Sequence, residues 1–189
     1  MKQISIKKKS FGFTLVELII VIFIMALLST LSIANFHNGQ RQRAVAIAAD
    51  TVSNALLNAQ NFTLAGKKTN NANASCRAVA AYYVNFFTAS PTTFSLYALN
   101  NCLTNDTIET YTLPANTRIK TNGLKLGGST AQTQLGVIFV PPFATLKALF
   151  DSPGPPYNTF STAQIIVESN DGSVSRTVIV DGLSGRIGQ

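Results

Sequence analysis

Residues 8–36 read KKSFGFTLVELIIVIFIMALLSTLSIANF, and this stretch decides what kind of chain the protein is. A basic leader, with Lys7, Lys8 and Lys9 in a row, ends at Gly12. Phe13 then opens an apolar run that lasts to Phe36 and holds one charge, Glu17. The 24 residues from Phe13 to Phe36 would extend roughly 36 Å as a helix at about 1.5 Å per residue, enough to cross a hydrocarbon core of about 30 Å. An acid near the centre of such a helix costs on the order of 2.5–3.5 kcal/mol on insertion scales. Glu17 is therefore read as functional. An ordinary secretory signal has a shorter apolar core and a cleavage site after it. Here the small residue, Gly12, precedes the run, so a cut between Gly12 and Phe13 removes the basic leader and keeps the helix. No cysteine stands beside that junction, which argues against a lipoprotein anchor. An uncleaved signal anchor explains the length and the basic flank but gives Gly12 and Glu17 no role.

The net charge of +7 is mostly a topology signal. Lys2, Lys7, Lys8 and Lys9 belong to residues 1–12, which contain no acid; without them 11 basic residues face 8 acidic ones, a mature charge of +3. Basic residues ahead of the apolar helix favour a cytoplasmic N-terminus and an exported C-terminal part, an asymmetry that Arg41 and Arg43 weaken but do not reverse. The rest of the chain is poor in charge and rich in Asn and Thr, as suits an exported, strand-rich domain. Cys76 and Cys102 are the only cysteines. In an oxidising compartment they are expected to close a loop, contributing roughly 3–4 kcal/mol on the chain-entropy model; the alternative is a pair of buried thiols. There is no CxxC and only one histidine, His37, so no metal site and no cofactor are expected.

Beyond a polar junction at Asn35–Gly39, helical spacing resumes at Gln40 and lasts to about Ala65. Val45, Ala48, Val52, Ala55, Leu56, Ala59 and Phe62 recur in steps of three and four, with Asp50, Ser53, Asn54, Asn58 and Asn61 between them. This predicts an amphipathic helix with one face for packing, stopped by Gly66-Lys67-Lys68. Residues 69–75 read as an Asn-rich loop. From there the period becomes that of strands: 77–87, 92–99, 108–113, 117–121 and 135–140. Residues 144–150 fit a strand or a helical turn, and DSPGPPY at 151–157 fits a loop. The clearest hairpin joins Gln164–Glu168 to Val174–Val180 through Asn170-Asp171-Gly172, with a second turn at 181–185 before a short strand at Arg186-Ile187. The expected fold is α+β: a long N-terminal helix, one half for the membrane and one half amphipathic, packed on an antiparallel β-sheet domain. The expected segments are 1–12 (leader), 13–36 (membrane and assembly helix), 37–66 (amphipathic helix) and 67–189 (exported β-rich domain).

The N-terminal pattern resembles the class III signal sequences of type IV prepilins and of type II secretion pseudopilins. The matching residues are the Lys7–Lys9 run, Gly12, Phe13, Thr14-Leu15-Val16, and Glu17 at the fifth mature position. The strand pairs YYVNF/TTFSLYAL, Ile108–Pro114 and the closing hairpin with Arg176–Val180 and Gly185–Ile187 are similar to the GspH/FimT group of minor pseudopilins and minor pilins. The resemblance implies cleavage after Gly12 by the prepilin peptidase and methylation of the Phe13 amine. It further implies that Glu17 neutralises the amine of a neighbouring subunit in a filament. The implied partners are other pilin or pseudopilin subunits, the peptidase, the assembly platform and the inner membrane. Many members have a Pro near the end of the apolar run, where this chain has Ala34, so no Pro kink is encoded there.

Enzymatic chemistry finds no support: there is no nucleophile elbow, no HExxH and no phosphate loop. The expected protein is a non-catalytic structural subunit in the inner membrane that moves into a filament. A DNA-binding minor pilin is the main alternative, because related proteins in that group bind DNA. Lys120, Lys125, Arg176 and Arg186, with Arg118 and Lys147, are the residues that would contact phosphates if they cluster.

Overall fold

The computed structural model describes residues 13–68, 74–127, 130–142, 145–150 and 159–189. The leader with Gly12, residues 69–73 of the Asn-rich loop and the DSPGPPY loop lie outside the described residues. The chain divides into two compact units, Met1–Gln40 and Arg41–Gln189. One helix, α1 (Leu15–Leu64), contributes to both. The polar junction at Asn35–Gly39 has helical backbone, so the two expected halves form one continuous helix.

In the second unit α1 buries a stripe of small and branched residues. Val45, Ala48, Ala49, Val52, Ala55, Leu56 and Ala59 have no exposed surface, in steps of three and four that keep them on one face. Four alanines in that stripe leave space for large side chains from the rest of the unit: Tyr82, Phe86, Phe94, Phe139 and Phe160 belong to the same core cluster. The helix closes as expected. Gly66 adopts φ 60°, Lys67 N–H reaches back to Phe62 O at 3.2 Å, and Gly66 N–H bonds Thr63 O at 3.3 Å. Tyr82 donates its hydroxyl to Lys67 O, which fixes the helix end to the first strand.

Two antiparallel five-stranded sheets follow, so the expected α+β arrangement of a long helix with antiparallel strands is present. The first has the order β3-β2-β1-β6-β7: β1 (Val79–Phe87), β2 (Thr93–Asn100), β3 (Asn105–Thr112), β6 (Gln134–Val140) and β7 (Thr145–Phe150). The second has the order β10-β9-β8-β4-β5: β4 (Thr117–Leu126), β5 (Thr130–Gln132), β8 (Thr162–Ser169), β9 (Ser175–Asp181) and β10 (Ile187–Gly188). β2 alternates buried and half-buried positions along its length, the pattern of a strand with one covered face. The central strand β1 is buried on both faces. Tyr82, Val84 and Phe86 enter the helix-side core, while Ala81 and Tyr83 join Ile138 in a smaller cluster on the other side. Residues from both sheets and from α1 form the single large core: Leu96, Leu135 and Val137 from one sheet, Ile119, Ile165 and Val178 from the other.

Polar contacts fix the register of α1 against this core. Thr63 donates its hydroxyl to Ala59 O at 2.8 Å and also faces Phe139 O at 3.4 Å. Asn58 Nδ2 donates to the Tyr111 hydroxyl at 3.3 Å, and Gln189 Nε2 donates to Asp50 Oδ1 at 2.8 Å. Two differences from expectation have one cause. β4 continues to Leu126 instead of ending at Thr121, and the unforeseen β5 pairs with its extension. The Lys120–Gly123 stretch is a bulge inside the strand: Ile119 faces Val167 and Leu124 faces Ile165. Residues 145–150 are a strand, paired along their length with β6.

Gly182 gives a direct test of how tightly the second turn is packed. A Cβ there would stand 1.9 Å from Phe160 O, whereas at Gly188 it would meet nothing within 4 Å. Gly182→Ala is expected to destabilise the domain by about 1–3 kcal/mol or more, as overpacking does, with Gly188→Ala close to wild type. Thermal unfolding followed by circular dichroism checks both; equal melting temperatures for Gly182→Ala and wild type contradict the packing.

Candidate assembly and anchoring sites

The N-terminal unit begins with a self-contained cap. Glu17 Oε2 accepts hydrogen bonds from the Thr14 backbone N–H and the Thr14 hydroxyl, each at 2.8 Å. The Glu17 N–H in turn donates to Thr14 Oγ1 at 3.2 Å. This is a capping box: a Thr at the helix N-cap and a Glu three residues on satisfy each other's orphan donors. The spacing Thr14-x-x-Glu17 ahead of an apolar run is the signal of this cap in the sequence. The carboxylate thus starts the helix as well as carrying the only charge of the apolar run.

Among the described residues from Phe13 to Leu28, every large apolar side chain faces outward. Phe13 is 89% exposed and Leu15 74%. Leu18, Ile19, Ile20, Val21, Ile22, Phe23, Ile24, Met25, Leu27 and Leu28 are exposed as well. A helix apolar all round requires an apolar environment. Two described hydroxyls of the stretch are paired to backbone carbonyls, Ser29 to Met25 O at 2.7 Å and Thr30 to Leu27 O at 2.8 Å, as suits a non-aqueous setting. Among the described residues no helix is long and apolar enough to cross a membrane. The side chains described in this stretch stop at Thr30, and those of residues 31–35 lie outside the description.

Cys76 and Cys102 are bonded to each other. Cys76 ends a short 3-10 turn, Ala74–Cys76, and Cys102 lies in the turn between β2 and β3. The disulfide therefore joins the segment after α1 to the far end of a hairpin. Asn100 organises the same turn: its Oδ1 accepts from Cys102 N–H and Thr104 N–H, both at 3.0 Å.

The structure divides the six candidate phosphate-contacting cations. Arg118, Lys120 and Lys125 belong to β4 and Arg176 to β9 of one sheet, whereas Lys147 stands opposite Ile138 in the other sheet; Arg186 precedes β10. Two of them are engaged by one carboxylate. Glu168, 5% exposed, holds Arg118 at 2.9 Å and Lys120 at 3.6 Å. A buried carboxylate between two cations satisfies itself at the expense of their availability to a phosphate.

A third polar centre was named in the sequence only as a turn. Asp171, in the β8–β9 hairpin, accepts from the Ser169 hydroxyl at 2.6 Å, the Ser173 hydroxyl at 2.8 Å and the Ser173 N–H at 3.2 Å. Arg41, near the start of the second unit, pairs with its other oxygen at 2.9 Å. Hydrogen bonds from Ser169 and Ser173, with Arg41 adding charge, hold the Asp171 carboxyl down from its ordinary 3.8 to about 2.

Residues 7–33 match the family model described as the prokaryotic N-terminal methylation motif. That motif is the N-terminal signature of type IV pilin-like precursors, and the helix with its antiparallel sheets is a pilin-like α+β arrangement. No curated protein and no solved structure matches the chain.

The Asp171 network makes a pH prediction with a definite sign. A carboxyl depressed in the folded state stabilises fully above its unfolded value and loses that contribution as pH falls through the folded one. The stability gap between wild type and Asp171→Asn should hold from neutral pH down to about 3.8 and close as pH approaches about 2. Urea midpoints across that range test it; a gap that does not change with pH refutes the network.

Proposed function

We propose that the protein is a non-catalytic structural subunit, a minor pseudopilin or minor pilin, that assembles into a type II secretion pseudopilus or a type IV pilus. Residues 13–36 anchor the precursor in the inner membrane with the N-terminus in the cytoplasm and the second unit exported. The prepilin peptidase cuts between Gly12 and Phe13 and methylates the Phe13 amine. The single observation that carries this reading is an outward-facing apolar helix whose one charge, Glu17, sits four residues after Phe13 and is tied to Thr14 alone among the described residues.

The physical logic is one of exchange. In the separate subunit the carboxylate is held by the cap, and the bonds described at it fall on Oε2. The second oxygen is left for a neighbour's Phe13 amine when helices stack about one turn out of step, roughly 6 Å along the axis. Paired opposite charges in an apolar core cost far less than either alone, and a buried charge that loses its partner costs about 3–5 kcal/mol. Glu17 then sets the stagger of subunits while Thr14 keeps the helix start intact.

Two measurements test the reading. Intact-mass analysis of protein extracted from membranes should show the loss of residues 1–12 and the gain of one methyl group; a mature chain that keeps Met1 sinks it. Glu17→Gln separates the two roles of Glu17, because Gln keeps the capping box and removes the charge. With both proteins at equal membrane levels, sheared filaments should contain more than about tenfold less Glu17→Gln than wild type. Equal recovery would remove charge pairing as the basis of assembly.

A further inference from the structure

Between Ala44 and Leu64 the exposed positions of α1 are Ile47, Asp50, Asn54, Leu57, Asn61 and Leu64, in steps of three and four. They form one stripe on the side of the helix away from the buried alanines. A helix packed on one side always leaves such a face to solvent, and that face is ordinarily polar. Here half of it is large and aliphatic: Ile47 is 55% exposed, Leu57 43% and Leu64 58%. Arg43, also exposed, extends the stripe by one more step of four.

The two charges of the stripe are unmatched within the subunit. Among the described residues neither Arg43 nor Asp50 forms an ion pair. They stand seven residues apart, roughly 10.5 Å along the axis, beyond the three- and four-residue spacings at which one helix pairs its own charges. Gln189 lies at the rim, where its Nε2 donates to Asp50 Oδ1 at 2.8 Å and to Ser53 Oγ at 3.2 Å. The bond described at Asp50 thus falls on one oxygen and leaves the other for a cation. We propose that this stripe docks a second copy of the chain, held by an ion pair between Asp50 and the neighbour's Arg43. The proposal rests on the filament reading above and adds to it a contact in the second unit.

Charge complementarity sets the stagger. Copies anchored by the same membrane segment run parallel, and in register they would set Arg43 against Arg43 and Asp50 against Asp50. A shift of four residues, the one that brings a neighbour's Phe13 amine level with Glu17, removes both clashes. The neighbour's Arg43 then comes level with Ile47, and three residues, roughly 4.5 Å, separate it from Asp50 along the axis. An arginine side chain spans that distance. The cation precedes the acid in the sequence at both places, so one direction of shift serves Glu17 and Asp50 alike. The same shift sets the neighbour's Leu57 between Leu57 and Leu64 of the first copy, so aliphatic surface meets aliphatic surface beside the ion pair.

The experiment expresses two tagged copies of the full-length chain together with the assembly machinery, one carrying Leu57→Cys and the other Asn61→Cys. Cys76 and Cys102 are bonded to each other, so the introduced thiols are the free ones. Brief oxidation of membranes and sheared filaments is followed by blotting for both tags. The expected result is a 57–61 product in excess of the 57–57 and 61–61 products. Arg43→Asp in both copies should lower its yield about threefold, the scale of an exposed ion pair, and adding Asp50→Arg should restore it. Thermal unfolding of the reversal variants should match wild type, since both positions are exposed. Homotypic products equal to or above the 57–61 product overturn the proposal, as does failure of the double reversal to restore it. Filaments that contain the chain without any 57–61 product overturn this docking surface and leave the assembly reading standing, because cleavage at Gly12 and the Glu17→Gln result are read independently.

Discussion

The burial of one alanine-lined face of α1 governs the second unit. Ala48, Ala49, Ala55 and Ala59 carry almost no bulk, and that is their use: the aromatic rings of the sheets enter the volume they leave. Because residues of both sheets join that face in one cluster, neither sheet has a large core of its own. Tyr82 illustrates the dependence. Its ring lies 5.9 Å from that of Phe62, its hydroxyl holds Lys67 O, and its backbone pairs with both β2 and β6. The end of the helix and the centre of a sheet are thus one structural element. An aromatic row continues across that sheet from Phe86 to Phe94 to Tyr111, with ring centres 4.9 and 5.2 Å apart. Tyr111 carries it to Asn58 and so back to the helix.

The N-terminal unit follows the opposite rule. Its described side chains from Phe13 to Leu28 are as apolar as a core, yet the large ones are turned outward. In that setting the polar atoms have been arranged beforehand: Thr14 and Glu17 serve each other, and Ser29 and Thr30 serve backbone carbonyls of their own helix. The same helix is therefore solved twice, once by the protein's own sheets and once for an environment it does not itself provide.

How far this could be read in advance depends on the range over which each signal acts. The helix-side core was legible because three-and-four spacing from Val45 to Ala59 is a local pattern that tertiary packing obeyed. The helix stop at Gly66 and the hairpin turn at Asn170-Asp171-Gly172 were legible for the same reason. The division into two sheets was not, since strand order depends on pairings between residues far apart, such as Thr117 with Ser169. β4 was expected to end at Thr121, and it runs on to Leu126 because a bulge at Lys120–Gly123 carries the strand past that point. At the site, Glu17 stood out through its charge, while its bond to Thr14 was hidden behind that reading. The Glu168 link to Arg118 and Lys120 spans strands remote in sequence, which no pattern of spacing discloses.

The position of the disulfide has a mechanical meaning. Cys76 and Cys102 are 26 residues apart and enclose β1 and β2 in a covalent ring. A pull that enters the chain at the end of α1 and is resisted beyond β2 has a shorter route through the sulfur bridge than through the ring. Load therefore bypasses the two strands that line the helix-side core and passes to the turn organised by Asn100. Within the second unit, two strands that share the helix-side core are the ones shielded from being drawn out lengthwise. Extension must begin further along the chain, at β3 and beyond, where the first strand reached is an edge of its sheet.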